Sequence, residues 1–449
     1  MLEYFSDCCH GNRDSPEARL RVLKIEKERP LTRVGYLTIL PNSNQAKALA
    51  LMKPIYADHN ATTPLANEVL AAMMPFLTEQ FGNASSAHDA ARKPARAIAQ
   101  AREHIADLLG GVAPEQIIFT SGATESNNAA ITGAAKANPA RRHIVTTQVE
   151  HPSVLERCAE MARDGYEVTF LSVDGEGLVD CDALARALRP DTLLVSVMHA
   201  NNETGVVFPI ERLSRIAKEH DPGILFHTDA TQTVGKVEVN LQTNLENVDF
   251  LSLSGHKLHG PKGVGALFIR QGVPWRPILL GGHQEEGRRG GTYNVPGIVG
   301  FGHACLLARR EFSLWREAEL RRDRLESAIV DGIEGVQING RQAVRLPNTL
   351  SASFSGAEGE SLVNLLSSLG IYVSTGSACT SGSLDPSHVL RAMRVPENLI
   401  HGSIRLSFSR YTTDEEIQRI CEALPSAIQK LRRLSPRSGG WNPSGHSTL

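Results

Sequence analysis

The sequence predicts an α/β protein: a large domain with a mainly parallel seven-stranded sheet, plus a smaller α+β domain. Three observations lead there. Between residues 117 and 270, short apolar segments rich in β-branched residues alternate with helix-like stretches, the pattern of strands joined by crossover helices. From about residue 345 strands and helices continue without that alternation. The composition, 41% hydrophobic and 21% charged over 449 residues, is that of a globular chain able to bury a large core.

Taken in order, residues 1–51 stand apart. They mix charges, and Pro16, Pro30 and Pro41 interrupt any long element. MKPIYADHNATTP, from Met52, reads as the start of a compact domain. The native protein is therefore expected to begin at Met52, with 1–51 an upstream extension or an over-long gene assignment; the intact mass of protein from its own organism decides this. RKPARAIAQAREHIADLLGG (92–111) places Ile98, Ile105, Leu108 and Leu109 on one helical face, with Gly110 and Gly111 as its stop. Strands are expected at 117–120, 143–147, 167–173, 192–199, 224–230, 248–254 and 264–270. In the later region 346–355, 371–377 and 403–410 read as strands, and 359–370 and 413–434 as helices. The expected domains are 67–314 for the large one and 52–66 with 315–436 for the small one. Residues 437–449, rich in Gly, Ser and Pro, are expected to be a disordered tail.

Several function classes are disfavoured. Lys plus Arg is 47 and Asp plus Glu is 49, a net charge of −2, which does not supply the clustered basic surface of a nucleic-acid binder. No run approaches the ~18 apolar residues of a membrane span, and MLEYFSDCCHGNRD lacks a basic start followed by an apolar stretch. A cytoplasmic location is the expectation. The seven cysteines are widely spaced with no CxxC, so neither a zinc ribbon nor a disulfide framework is indicated.

Chemistry gathers at the ends of expected strands, where α/β sheets bind ligands. Lys257 directly follows one strand in LSLSGHKLHGPKG; a desolvated lysine there can form a Schiff base, the plain alternative being a surface lysine. Asp229, in FHTDATQ, ends another strand 28 residues earlier. It can pair with a protonated pyridine nitrogen or simply cap a turn. TSGATESNNAAI (120–131) is a glycine turn opening a helix, with Ser121 and Thr124 as hydroxyl donors for a phosphate. It lacks the nucleotide-binding glycine patterns. His151 follows the strand 143–147, and Asn201, Asn202, Glu203 and Thr204 follow the strand 192–199. The asparagine group can bind a polar ligand or form an Asx-turn. Cys379, in STGSACTSGSLDPSHVLRAM, has loop composition around it and suits an accessible thiolate nucleophile. Arg405, mid-strand in SIRLSFSR, needs an anion, either a substrate carboxylate or an internal partner.

These residues lie in a series of motifs: ADHNATTP, FGNASSAH, FTSGATESNN, VEHPSV, ANNETG, HTDATQ, SGHKLHGPKG, GGHQEEGRRGGT, RLPNT, STGSACTSGSL and HGSIRLSFSRYTT. In this order, over about Met52 to Ser435, the chain resembles the pyridoxal-phosphate-dependent cysteine desulfurases of the fold-type I, class V aminotransferase superfamily. The long SGSACTSGSL segment resembles the group that hands sulfur to iron–sulfur scaffolds. GGHQEEGRR and HGSIRLSFSRYTT resemble the form dedicated to nitrogenase clusters more than the housekeeping form.

The resemblance implies roles residue by residue. Lys257 carries pyridoxal 5′-phosphate as a Schiff base and moves protons at the substrate Cα. Asp229 holds the pyridinium, Gln232 bonds the ring oxygen, and His151 stacks on the ring and acts in acid–base steps. Ala123, Thr124, Ser254, Gly255 and His256 cradle the cofactor and its phosphate, with Asn202 also against the cofactor. Thr292 reaches the phosphate of the partner in a homodimer. Asn60, Asn202 and Arg405 hold L-cysteine. Cys379 takes the sulfur, leaves alanine, and passes the sulfur to an iron–sulfur scaffold or other acceptor protein; it is also a candidate transient ligand of an iron–sulfur cluster. Tyr293 departs from the pattern, standing where many relatives carry an acidic residue. The alternatives are a selenocysteine lyase on the same fold and a non-catalytic sulfur-transfer scaffold, the latter disfavoured by the presence of Lys257 and Cys379.

Overall fold

Strands covered on both faces are encoded as unbroken apolar runs, and the central sheet is built from such runs. The computed structural model describes residues 53–375 and 385–434. In chain order the strands are β1 (Ile55–Tyr56), β2 (Ile117–Thr120), β3 (His143–Thr147), β4 (Glu167–Leu171), β5 (Thr192–Ser196), β6 (Leu225–Asp229), β7 (Phe250–Ser254), β8 (Gly265–Ile269), β9 (Val336–Ile338), β10 (Thr349–Phe354), β11 (Ile371–Tyr372) and β12 (Ser403–Ser407). Seven of them form the large sheet in the order β2-β8-β7-β6-β5-β3-β4.

Neighbours from β7 through β4 pair in parallel. β8 runs antiparallel to both β7 and β2. The reason is local: only residues 255–264 connect β7 to β8, too few for a crossover helix. Alternate residues face opposite layers. Phe119, Val145, Val195, Phe226 and Leu251 join one apolar cluster, and Ile118, Ile144, Leu194, Leu225 and Phe250 join another. Helices thus cover both faces, among them Arg92–Leu108 and Val295–Arg310 on one side and Ala123–Ala137 and Pro152–Arg163 on the other. In the first of these helices Ile98, Ile105 and the following Leu109 are buried, while Leu108 is half-buried.

A second core gathers around the antiparallel sheet β12-β10-β9 and the parallel pair β1-β11. Leu325, Ile329, Leu362, Leu366, Ile420 and Leu424 pack on it from the helices Leu314–Gly332, Gly359–Ser368 and Asp414–Leu434. Val389, Leu390, Met393, Val395 and Ile400 instead contribute to the larger core. The segment after β1 leaves the smaller core and crosses to the large sheet. There Thr63 N donates to His256 O at 3.0 Å and Ala66 N to His259 O at 3.0 Å. That crossing brings Asn60 to the end of β7.

Candidate active site

The parallel strands present their C-terminal ends on one side, and the polar groups expected there converge. β2 leads into the turn at Gly122, which opens the helix Ala123–Ala137. The first bond within that helix is Ser126 N to Gly122 O at 3.1 Å, so the preceding amides remain as donors at its N-terminus. Gly122 has φ 155°, and its turn lies directly on β8. A Cβ on Gly265 would come within 2.7 Å of the Gly122 Cα, so a glycine in β8 is what lets the turn sit there. Ser254 and Gly255, at the end of β7, are buried beside it.

Lys257 stands in the short turn Gly255–Lys257 that follows β7. Its Nζ donates to Ala61 O at 2.8 Å and to the carbonyl of Asn60. The same Asn60 carbonyl accepts from Gln232 Nε2 at 3.0 Å. Behind Gln232, Lys236 Nζ donates to its Oε1 at 3.0 Å. Lys236 is buried, and desolvation, reinforced by the charges of Lys257 and Arg405, lowers its pKa to about 7. His256 Nδ1 lies 3.1 Å from Thr62 Oγ1, and burial pulls its pKa down to about 4.

Asp229 ends β6 and is 7% exposed. Its Oδ2 accepts from Asn127 Nδ2 at 2.7 Å and its Oδ1 from Thr231 N at 2.9 Å. The Asn127 Oδ1 is buried with no partner among the described residues. His151 caps the helix Pro152–Arg163, its Nδ1 accepting from Ser153 N at 3.1 Å. Burial lowers its pKa; Asp229 opposes this, and Lys257 and His388 add to it. Next to it Glu150 is fully buried, and desolvation pushes its pKa up to about 8.

Glu150 yields a pH prediction. Its Oε1 accepts from Thr147 Oγ1 at 2.8 Å and Met198 N at 2.9 Å, and its Oε2 has no partner among the described residues. Between the ordinary value of 4.5 and about 8 the folded state holds a proton that the unfolded chain releases. Stability from this group therefore falls as pH rises through that window. Glu150→Gln copies the neutral form. It should match the parent near pH 4, where both states hold the proton, and exceed it by about 2 kcal/mol at pH 6. Denaturant unfolding at the two pH values checks this; an equal difference at both would refute it.

Arg405 is more deeply buried than its sequence suggests, at 3% exposed. The internal partner left open by the sequence is present: Nη2 donates to Asp58 Oδ1 at 2.6 Å. Nη1 donates to Asn202 O at 2.9 Å, and the buried Nε has no partner among the described residues. Asn60 Nδ2 donates to Asn202 O at 3.2 Å, so Asn60, Asn202 and Arg405 form one group. Asn201 belongs to a turn instead, its Oδ1 accepting from Glu203 N and Thr204 N. Glu203, buried, accepts from Ser387 Oγ at 2.5 Å.

Thr292 is exposed and is not brought to this chain's own site. Tyr293 turns inward, its hydroxyl accepting from Glu285 N at 2.8 Å. Glu285 in turn takes both Nη groups of Arg102 at 2.7 and 2.8 Å. Cys379 lies outside the described residues. Among the described residues no cluster of His, Cys, Asp or Glu is arranged to hold a metal ion, and no helix is long and apolar enough to cross a membrane.

Sequence pattern alone did not mark Asn127, Ser153, Lys236, Asp58 or Glu150. A weak signal existed for two of them. Asn127 is a polar residue among the buried alanines of its helix, and Lys236 stands one helical turn beyond Gln232.

Comparison with known proteins agrees with this geometry. The aminotransferase class-V family model matches residues 55–420. A protein named cysteine desulfurase 2, from Trichormus variabilis, is 52% identical over 387 residues, covering 86% of this chain and 96% of the relative. The solved structure of a NifS-like protein superposes with a TM-score of 0.79 at 41% identity, over 84% of this chain and all of that one. Another, titled SspA in complex with cysteine, gives a TM-score of 0.70 at 38% identity, over 80% of this chain and all of that one. A shared family model, long alignments and a common fold lead to one assignment: the chain belongs to the class-V aminotransferase family, among its cysteine desulfurases.

Proposed function

We infer that this enzyme is a cysteine desulfurase that removes sulfur from L-cysteine, releases L-alanine, and carries the sulfur as a persulfide on Cys379 for iron–sulfur cluster assembly. The nitrogenase metallocluster is the destination favoured by GGHQEEGRR and HGSIRLSFSRYTT. The observation that carries the reading is the convergence of Lys257, Gln232 and Arg405 around the Asn60–Asn202 group, with Asp229 and Lys257 both acting on His151.

The residues fit pyridoxal 5′-phosphate. Asp229 is a buried carboxylate held by two donors, as a pyridinium partner must be. Lys257 offers its amine from the neighbouring strand's end. The donors at Ala123 and Thr124, with Ser254, Gly255 and His256, suit the phosphate, and Gln232 Nε2 suits the ring oxygen. Bound there, the cofactor supplies an electron sink for cleavage at the substrate's Cα and Cβ. Lys257 moves the Cα proton. His151 flanks the ring. Arg405 Nε, with Asn60 and Asn202, receives the substrate carboxylate while Asp58 holds Nη2 of the same guanidinium. The Cys379 thiolate then attacks the substrate sulfur. One C–S bond breaks and one S–S bond forms; the carbon keeps the electron pair, gains a proton and leaves as alanine.

We place the reaction in the cytoplasm, where thiols stay reduced; the four described cysteines are all free. A homodimer completes the site through the partner's phosphate contact with Thr292. The helix Asn67–Thr78 supports this, exposing Leu70, Met74 and Leu77 at helical spacing, with Phe81 beyond them 81% exposed. Such a patch marks an interface. Leu77→Asp with Phe81→Asp should convert a dimer to a monomer in sedimentation; a monomeric parent would exclude this arrangement.

The function is tested by incubating the full chain, loaded with pyridoxal phosphate, with L-cysteine and a thiol reductant. Alanine and sulfide should form in equal amounts. Alanine from selenocysteine but not from cysteine would overturn the reading in favour of a lyase. Alanine from neither would leave a scaffold.

A further inference from the structure

Four polar side chains from three elements form one hydrogen-bonded chain behind the site. Asp229 Oδ2 accepts from Asn127 Nδ2 at 2.7 Å, and the same nitrogen donates to Ser153 Oγ at 2.8 Å. Ser153 Oγ lies 2.8 Å from His151 Nδ1. Asn127 is fully buried and Ser153 nearly so, so the protons in this chain have few alternative places to go.

Their positions follow from donor and acceptor chemistry. A carboxylate only accepts, so the Asn127 atom facing Asp229 is the amide nitrogen. That nitrogen has two protons and meets two acceptors, Asp229 and Ser153. Ser153 Oγ therefore receives a proton from Asn127 and directs its own at His151 Nδ1. The Ser153 backbone N–H also points at Nδ1, at 3.1 Å, and a backbone amide can only donate. Nδ1 thus faces two donors and holds a lone pair. The neutral ring has one proton, which sits on Nε2.

We infer that Asn127 and Ser153 are positioning residues that lock His151 in the Nε2–H tautomer, so that the ring meets its ligand as a hydrogen-bond donor and not as a base. An imidazolium would need a proton on Nδ1, facing a backbone amide that cannot turn away. Among the described residues, the charged and titratable groups around the ring are Asp229, Lys257 and His388, with Glu150 adjacent. Of these Asp229 favours the cation, and burial outweighs it. Under the proposed function this narrows the part His151 plays. Accepting the Cα proton falls to Lys257, while His151 presents Nε2–H to an anionic or lone-pair atom of the ligand. The tautomer itself does not depend on that reading.

The test uses the full chain as purified, labelled with 15N-histidine, and long-range proton–nitrogen spectra near pH 8. His151 is assigned by the signal lost in His151→Gln. The expected pattern is an unprotonated Nδ1 and a protonated Nε2; an Nδ1–H tautomer or an imidazolium would overturn the inference. In Ser153→Ala and Asn127→Ala a donor holding the lone pair is lost or freed. The His151 pKa, read in the same spectra, should then rise by about half to one unit. In Ser153→Thr, which keeps the hydroxyl, it should stay at the parent value. No movement in either alanine variant would remove Asn127 and Ser153 from this role. Neither turnover nor substrate enters the readout, so it stands apart from the desulfurase assay.

Discussion

Cys379→Ala should lower alanine formation from L-cysteine by about a thousandfold or more, while leaving the cofactor bound. In the proposed reaction the thiolate accepts the sulfur, and removing a covalent nucleophile would leave only binding and proton transfer, which do not break the C–S bond productively. The four described cysteines offer no replacement. Cys158 is buried, with desolvation pushing its pKa up to about 12, and Cys305 is raised in the same way. Cys181 is buried too. Cys421 is half-buried within the helix Asp414–Leu434, and its pKa is raised. A raised pKa leaves little thiolate at neutral pH. Mass spectrometry after one exposure to cysteine, without reductant, should find one added sulfur on Cys379 in the parent and none elsewhere. Persistent alanine formation in the variant, or sulfur on another cysteine, would sink the persulfide assignment.

Much of the scaffold was legible because its strands are buried on both faces. Segments 117–120 and 143–147 appear in the sequence with the bounds they have in the fold, since apolar β-branched runs end where the chain reaches polar turns. The direction of β8 was not legible. It depends on how far the chain travels between strands, and an apolar run reads the same in both directions. The site divides in the same way. Lys257, Asp229 and His151 follow strands directly, so pattern alone points at them. Asn127 and Asp229 are separated by 102 residues, and Asp58 and Arg405 by 347. Contacts of that range belong to topology, and no local spacing announces them. Arg405 shows the limit well: its position in an apolar strand calls for an anion, but only the fold reveals that Asp58 takes one edge of the guanidinium and leaves Nε without a partner among the described residues.

Lys257→Ala should abolish both covalent retention of the cofactor and turnover, with the rate falling by roughly 10²- to 10⁴-fold from the lost proton transfer alone and further from the lost covalent link. The structure suggests a sharper control than alanine. Lys257 Nζ is held by the carbonyls of Asn60 and Ala61, so its charge and hydrogen bonding must be separated from its amine chemistry. Lys257→Arg keeps both of those and loses only the amine that can condense with a carbonyl and release a proton. It should be as inactive as Lys257→Ala. A second lysine is close by. Lys236, lowered to about 7 by burial, is partly unprotonated at neutral pH and therefore chemically competent. Its amine is instead directed at Gln232 Oε1, which holds it away from the attachment point. Borohydride reduction of the parent followed by peptide mapping should place the cofactor on Lys257 alone, and the same treatment of Lys257→Ala should label nothing. Label on Lys236 in the parent would move the attachment point to the turn after β6. Label on Lys236 only in the variant would show that competition from Lys257, and not the Gln232 contact, keeps the second amine out of the reaction.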